Sequence, residues 1–422
     1  MPYPVPHQAL ITTFLCACSV FLSPGILFAA ASDDAVEALL AKGAKIKRDN
    51  AGTVTEVNLA EADVSETDLR QLANFPELNH LTLWGAGITD TAIPLLEKNP
   101  KLATLVLENT EITGDGIKSL ALLPQLKVLN LRRSTYLDDA ALETISAMEN
   151  IEQLILLYNN FSDAGLEHVA KLKKLKVLDL RGCAMVTSEG LRALADLPNL
   201  QRLKLRCPAV DDSGVEILAT FPKLRGLWLE DCSVTDDGAS HLASHTKLDE
   251  LYLFRTYISD DALSALAPMV RLKRLSLRDT AVSGNSLHHL ESSADTLRNL
   301  DLSETQTDDI GVANLKELGN LDHLNLWNTN VGDQGLSHLT TLDKLRWLNL
   351  QNTGVTDAGL QSVKQLKNLE TLNLSETSIT DAGLLLLGDL ANLKSLNVAF
   401  TNVTPDGIAA LQNKRPELKI SN

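Results

Sequence analysis

One pattern recurs along most of the chain at a nearly fixed interval. Each copy has an apolar residue followed by further apolar residues three and five positions later, and successive copies start about 24 residues apart. Fifteen copies begin at Val54, Leu78, Leu102, Leu126, Ile151, Leu175, Leu200, Leu224, Leu248, Leu272, Leu297, Leu321, Leu345, Leu369 and Leu393. This constant register predicts an elongated stack of similar units instead of one globular core.

The copy that starts at Leu369 shows what one unit contains. Its leucines alternate up to Leu374, which predicts a short strand with an apolar inner side. Thr380 and Asp381 then provide the hydroxyl and carboxylate that favour the start of a helix. Leucines at three-residue spacing follow from Leu384 and predict a short helix on the opposite side of the unit.

Stacking these units predicts an α/β solenoid. Each unit has an apolar edge that it cannot bury alone, so every strand pairs in parallel with the next and the strands form one sheet on the order of 70 Å long. The helices need more width than the strands, so the stack bends into a horseshoe. We therefore expect the parallel sheet on the concave face and the short helices on the convex face.

The run from Leu374 to Leu384, with the sequence LSETSITDAGL, resembles leucine-rich-repeat proteins. The likeness is nearest to the cysteine-containing subclass found in F-box proteins and to secreted bacterial relatives, and it covers about residues 54–420. It implies the horseshoe fold and says little about the ligand. No F-box fits between Ser32 and Thr53, so the resemblance carries over no ubiquitin-ligase adaptor function.

The ends of the chain suggest four parts. Residues 1–31 contain an uncharged apolar segment that ends in Ala29, Ala30 and Ala31, which predicts a signal peptide and hence an exported protein. An uncleaved membrane anchor, or lipid attachment near Cys16, is the alternative, and only then would the chain contact a membrane. Residues 32–53 predict an N-terminal cap made of a helix and a hairpin, residues 54–417 hold the fifteen repeats, and residues 418–422 form a truncated final strand.

Charge and reactive residues exclude several functions. The formal net charge of −16 disfavours nucleic-acid binding, because an acidic body repels phosphates. The sequence shows no nucleophile–base pattern, phosphate loop or metal-ligand spacing, so we expect no enzymatic activity, no cofactor and no metal site. Acidic residues at the starts of the helices are expected to cap those helices, with calcium binding as the alternative.

Cysteines fall mostly at one position of the repeat. Cys183 and Cys232 occupy the ninth position, where most copies have Thr, and we expect small polar side chains there to bond backbone groups at the bend after the strand. Cys207 lies one position earlier, which predicts a different direction for its side chain. Because three cysteines remain after the N-terminal segment, no disulfide framework is predicted.

The third, fifth, seventh and eighth positions of each repeat are expected to face the concave surface. All four tryptophans occupy these positions, although the positions make up only about one residue in seven. Aromatic residues interleaved with Arg are typical of binding surfaces. Cross-strand stacking that merely stiffens the sheet is the alternative interpretation.

Basic residues concentrate on the same face in repeats four to seven, where Asp179 is expected to be the only opposing charge. The sequence therefore predicts a partner-binding surface over repeats four to ten, with Trp327 and Trp347 as a second anchor. Its residues are Arg132, Arg133, Tyr158, Arg181, Arg202, Lys204, Arg206, Trp228, Tyr252, Phe254, Arg255, Arg274, Arg278, Trp327 and Trp347.

These observations predict a non-catalytic scaffold or receptor that binds a protein on its concave face, with a partner of acidic or mixed charge. Binding of an anionic glycan or envelope polymer is the first alternative, since Arg and stacking aromatics suit it equally. A structural cell-surface component without a discrete ligand is the second.

Overall fold

The computed structural model describes residues 24–422, with side chains from residue 33 onward. Residues 1–23 of the predicted signal peptide lie outside this described part. Within it, one sheet of seventeen strands follows the order of the chain. The strands are β1 Lys45–Arg48, β2 Val54–Asn58, β3 His80–Trp84, β4 Thr104–Glu108, β5 Val128–Asn130, β6 Gln153–Ile155, β7 Val177–Arg181, β8 Arg202–Arg206, β9 Gly226–Leu229, β10 Glu250–Tyr252, β11 Arg274–Ser276, β12 Asn299–Asp301, β13 His323–Asn325, β14 Trp347–Asn349, β15 Thr371–Asn373, β16 Ser395–Asn397 and β17 Lys419–Ser421.

The first two strands differ from the rest in direction. β1 and β2 form an antiparallel hairpin, whereas β2 to β17 run parallel, each paired with the next in the register of the repeat. The helix Pro24–Ala41 precedes the hairpin and buries Ala35, Val36 and Leu39. These elements cover the apolar end of the first repeat, which protects that end of the solenoid from association with another chain.

A short helix lies opposite each strand in the repeats. The α-helices are Glu66–Leu69, Gly114–Leu120, Asp139–Ser146, Asp163–Val169, Ser188–Leu194, Asp212–Leu218, Asp236–Ser240, Asp309–Ala313, Asp333–His338, Leu360–Val363, Asp381–Leu386 and Pro405–Lys414. The 3₁₀ helices are Arg70–Asn74, Asp90–Lys98, His241–Ser244, Asp260–Leu266, Leu287–Ser293, Leu339–Thr341 and Leu387–Asp389. The repeat leucines, such as Leu251 and Leu372, are buried between the sheet and these helices. The α/β solenoid predicted from the leucine spacing is confirmed.

The acidic residues at the helix starts connect one repeat to the next. The Asp357 carboxylate accepts hydrogen bonds from the Thr380 backbone N–H at 2.8 Å and from the Thr380 hydroxyl at 2.6 Å. Gly383 lies against the same carboxylate, and a Cβ there would be 2.1 Å from Asp357 Oδ1. The arrangement recurs in the pairs Asp90–Thr113, Asp139–Ser162, Asp163–Thr187, Asp212–Thr235, Asp236–Ser259, Asp260–Ser283, Asp333–Thr356 and Asp381–Thr404. These carboxylates therefore hold neighbouring repeats together, a role beyond the expected capping of their own helices.

The eighth position of the repeat has a backbone that the sequence did not reveal. Eleven non-glycine residues there have φ between 50° and 58°: Asn109, Arg133, Tyr158, Asp231, Arg255, Asp279, Glu304, Asn328, Asn352, Glu376 and Phe400. This left-handed conformation is unfavourable for L-residues. It is compensated by a backbone hydrogen bond to the next repeat, as from Tyr158 N to Arg181 O at 2.9 Å. The sheet-like pairing of the repeats thus extends beyond the strands.

Candidate functional site

The parallel register arranges the concave side chains in columns that run along the sheet. Tyr252 in β10 pairs with Trp228 in β9 and with Ser276 in β11. Side chains at equivalent positions are therefore lateral neighbours, about 4.8 Å apart between adjacent strands. This spacing allows rings to stack and opposite charges to meet from one repeat to the next.

Three residues of the fifth-position column form a continuous stack. The rings of Trp228 and Tyr252 are parallel within 9°, with centroids 4.9 Å apart. Lys204 Nζ lies 4.6 Å from the centroid of the Trp228 ring, at the distance of a cation–π interaction. Trp228 is only 8% exposed, in contrast to the exposed aromatic that we expected. The missing side chain of Gly226 explains this burial, because the indole occupies the space where a Cβ would lie.

Other predicted aromatics are held by arginines. The guanidinium groups of Arg132 and Arg133 lie 5.9 and 5.4 Å from the Tyr158 ring. Phe254 lies between two more, those of Arg255 at 4.7 Å and Arg278 at 4.9 Å.

Trp327 and Trp347 have different neighbours. Arg278 also lies 5.1 Å from the Trp327 ring, so Trp327 adjoins the main cluster. Trp347 lies apart, where its ring stacks on His323 with centroids 6.1 Å apart.

The arginines of the predicted basic patch are mostly neutralised. Arg181 pairs with Asp179 at 2.9 Å and with Glu230 at 3.4 Å, and Arg206 pairs with Asp231. The remaining pairs are Arg132–Glu108, Arg202–Glu250, Arg255–Asp231, Arg255–Asp279, Arg274–Glu250 and Arg278–Glu304. The expectation that Asp179 alone opposes this patch is therefore wrong. The register aligns equivalent positions, so carboxylates of neighbouring repeats reach the arginines. In Arg181–Glu230 and Arg202–Glu250 the arginine spans two strands.

Two cations of the predicted surface lack a carboxylate within salt-bridge distance among the described residues. Arg133 and Lys204 instead lie over the rings of Tyr158 and Trp228. Burial raises the pKa of Glu230 above its ordinary value, although the guanidinium of Arg181 opposes this shift. The surface is thus a mixed network of paired charges and stacked rings.

A cavity of about 240 Å³ opens on the concave face beside this network. Tyr252 and Arg274 line it on the side of repeat nine, and His323 and Trp347 line it on the side of repeat thirteen. Ser276, Asn299, Asp301 and Asn325 form the polar part between them. Sequence reasoning missed Asp301 and His323. The available signal for Asp301 was its carboxylate in a column that is mostly Asn in the later repeats.

The cysteines belong to the framework and not to the site. Cys183 Sγ donates to Leu156 O at 3.1 Å, and Cys207 Sγ reaches Leu180 O at 3.5 Å in the same manner. The different direction expected for Cys207 is wrong, because its repeat lacks one residue at the bend and Cys207 takes the place of a ninth-position residue. All three thiols are free and buried, and burial raises the pKa of Cys183 and of Cys232 to about 12.

The described part of the chain holds no group of three or more His, Cys, Asp or Glu side chains that would suit a metal ion. Over the same residues, none of the helices combines the length and the apolar character needed to cross a bilayer.

Comparisons with known proteins agree with this architecture. A family model described as a leucine-rich repeat matches residues 98–121, 171–195, 365–388 and 390–411. The crystal structure of an internalin from Listeria monocytogenes is similar with a TM-score of 0.53 and 25% identity, over 87% of this chain and 94% of that chain. The structure of a leucine-rich-repeat protein from Leptospira interrogans is similar with a TM-score of 0.54 and 18% identity, over 86% of this chain and 95% of that chain. None of the curated proteins matches the sequence.

The repeat register, the curved parallel sheet and these matches together identify the chain as a leucine-rich-repeat protein, as the sequence pattern predicted. Solenoids of this class commonly serve as scaffolds for protein–protein interaction, using the concave sheet surface as the contact area.

Proposed function

We propose that the chain is an exported, non-catalytic scaffold that holds a protein partner against the concave surface of repeats four to ten. Export rests on the apolar segment from Ala9 to Ala31 and its small residues before Ser32. The partner-binding surface comprises the fifteen residues named from the sequence. Within it, Trp228 is mostly buried and supports Tyr252 by stacking on one face of its ring. We also propose that its repeats are of the cysteine-containing subclass found in F-box proteins.

The observation that carries the proposal is the continuous network of arginines and aromatic rings on these repeats. Tyr158 is 38% exposed and lies beside Arg132 and Arg133, while Phe254 lies between two further guanidinium groups. Such side chains give large contact area and directional hydrogen bonds, which are the properties of interface hot spots. Stacking and pairing hold them in place before a partner arrives, so less conformational freedom is lost on binding.

The fold itself does not require these residues. In repeats twelve to fifteen the same concave column contains Asn325, Asn349, Asn373 and Asn397, and the strands pair in the same register. A framework built with asparagine therefore supports the same sheet. The arginines and aromatics of repeats four to ten are additions to that framework, which favours a role in recognition.

The charge pattern favours a protein of mixed charge over an anionic polymer. Seven of the nine proposed basic residues already pair with carboxylates. An anionic glycan would have to compete with every one of these carboxylates. A protein surface that carries both acidic and basic side chains can instead pair with the arginines and with the carboxylates of this network. The seven strands of repeats four to ten span roughly 30 Å, which is enough for a standard interface of about 1,600 Å².

Partner capture tests the proposal. The chain is immobilised and exposed to envelope extract, and retained proteins are identified by mass spectrometry. The variant Arg133→Ala/Tyr158→Ala/Tyr252→Ala should lose the retained partner. Its circular dichroism spectrum should stay unchanged, because removing these three side chains leaves no buried charge without its partner. Thr371→Ala/Ser395→Ala/Phe400→Ala, on the concave side of repeats fourteen and fifteen, is the matched control and should retain it.

Other outcomes would contradict the proposal. Equal capture by both variants rejects the placement of the surface. Competition by alginate that weakens steeply with salt would indicate an anionic glycan as the ligand. Self-association of the purified chain in sedimentation, without a retained partner, would indicate a structural component.

A further inference from the structure

The cavity between repeats nine and thirteen adds residues that the proposed surface does not include, among them Asp301 and His323. One wall is Tyr252, whose ring is covered on one side by Trp228. Its other side faces β11, where the paired residue is the small Ser276. The aromatic stack therefore ends at an open ring face that borders the cavity.

The opposite wall is aromatic as well. His323 and Trp347 are paired in register on β13 and β14, and their rings are within 20° of parallel. The residue paired with His323 on the side of the cavity is Asn299, which is smaller than either ring. Two aromatic walls thus enclose a space whose floor is formed by short polar side chains.

The floor contains a carboxylate without a cation. Among the residues that the structure describes, Asp301 has no basic side chain within salt-bridge distance. The other acidic residues on the concave face of repeats six to eleven all have one: Asp179, Glu230, Asp231, Glu250, Asp279 and Glu304. The one cation on the rim, Arg274, is bonded to Glu250 at 2.7 Å, so it leaves the charge of Asp301 uncompensated.

The framework needs the oxygen of Asp301 but not its charge. Asp301 Oδ1 accepts from the Ser303 N–H at 3.0 Å and from the Ser303 hydroxyl at 2.6 Å. In repeat fourteen, Asn373 Oδ1 makes the same two bonds to Ser375, at 3.1 and 2.8 Å. An amide would keep both of these bonds, and its NH2 would face the Ser276 hydroxyl, which now donates to Asp301 Oδ2 at 3.4 Å. No cation in the described part of the chain pairs with the negative charge of Asp301.

We propose that this cavity binds a basic side chain, a guanidinium or an ammonium group, that projects from the protein partner. Its cation would bond to the Asp301 carboxylate while its aliphatic stem and charge lie against the faces of Tyr252 and His323. Charge complementarity favours this occupant over an aromatic residue or a neutral sugar, which would leave the carboxylate buried without a counter-ion. This assignment rests on the proposed function, because the basic group belongs to the bound protein.

The test uses the full chain labelled with ¹⁵N at its four tryptophan indoles. It is titrated with the peptide acetyl-Gly-Arg-Gly-amide and, separately, with acetyl-Gly-citrulline-Gly-amide, which has nearly the same shape without the charge. The arginine peptide should shift the Trp347 indole signal and the citrulline peptide should not. Asp301→Asn should weaken the binding by about tenfold, as expected for loss of a charge-assisted hydrogen bond.

Two further variants sharpen the result. Asn325→Asp adds a second carboxylate inside the cavity and should tighten binding of the arginine peptide, whereas Asn373→Asp adds the same charge outside the cavity and should leave it unchanged. Thermal melting of Asp301→Asn should match that of the parent chain, in line with the bonds that Asn373 makes.

Equal shifts with both peptides, or unchanged affinity in Asp301→Asn, would overturn the assignment. A Trp347 shift with N-acetylglucosamine that is insensitive to Asp301→Asn would overturn it too and indicate a sugar site. If the arginine peptide fails while the concave triple variant still loses the partner, the cavity assignment is wrong and the proposed function stands. If the triple variant also keeps the partner, the proposed function is wrong.

Discussion

Repeats four to ten and repeats twelve to fifteen share one framework and differ on one face. Both bury leucines at the same repeat positions, and both connect neighbouring repeats through Asp contacts such as Asp212–Thr235 and Asp381–Thr404. On the concave face, the first region carries paired arginines and stacked rings. The second carries an asparagine column at the fifth position, beside the single stack of His323 and Trp347. The difference teaches that the solenoid fixes the inward positions and leaves the outward strand positions free for recognition.

The largest effect is expected where the two regions are alike. Leu251→Ala and Leu372→Ala remove side chains that are at most 1% exposed, one in each region. Each should lower the free energy of unfolding by about 2–5 kcal/mol, through lost burial and an unfilled cavity. Denaturant unfolding followed by circular dichroism measures both. A cost in one region several times that in the other would show that their cores are not equivalent.

A smaller loss of stability is expected from substitutions at the fifth position of the repeat, and its size should differ between the two regions. Asn373→Ala leaves the Ser375 N–H without its side-chain acceptor and should lower the free energy of unfolding by about 1 kcal/mol. Lys204→Ala removes a half-buried cation over a ring and should cost less, about 0.5 kcal/mol. The same unfolding assay ranks the two variants. The opposite ranking would contradict the view that asparagine is the framework residue and lysine the addition.

Acid should weaken the contacts that both regions share. Hydrogen bonds from Ser213 and Ser188 lower the pKa of Asp211, and those from the Thr404 N–H and hydroxyl lower the pKa of Asp381. A lowered folded-state pKa contributes stability above the ordinary value of 3.8 that is lost as the pH falls below it.

The melting temperature should therefore drop between pH 5 and pH 3, and the double variant Asp211→Asn/Asp381→Asn should show a shallower drop. An equally steep drop in the double variant would assign the acid sensitivity to other carboxylates.

The smallest effect is expected at the ninth position, where repeats six to eight use cysteine and the later repeats use threonine. Cys232→Thr should change the free energy of unfolding by less than about 1 kcal/mol, since Thr377 bonds its own repeat at 2.6 Å in the equivalent place. Because burial raises the pKa of Cys183 and Cys232 to about 12, their thiols should resist iodoacetamide at pH 8 until the chain is unfolded. Peptide mass spectrometry after labelling checks this, and rapid labelling of the native chain would contradict it.

The spacing of the leucines was sufficient to predict the strands, their parallel register and the side of the sheet on which each outward residue lies. That prediction succeeded because each inward side chain must be buried, so a shift of one residue would expose the whole apolar set. It failed at Cys207, because the bend after that strand has one residue fewer. The numbering of positions within the repeat is therefore shifted by one there, although the strand itself is unchanged. It also failed to reveal the left-handed eighth position, which depends on hydrogen bonds from the next repeat.

The sequence by itself therefore determined the solenoid and the residues on its concave face, because local periodicity dictates both. Only the tertiary structure decided what those residues do to one another. The Arg181 guanidinium donates to the carboxylate of Glu230, 49 positions away. The Trp228 indole packs against Gly226 and is buried. Such contacts form between repeats, where the curvature of the sheet and the lengths of the side chains set the distances, and the pattern within one repeat contains no information about them.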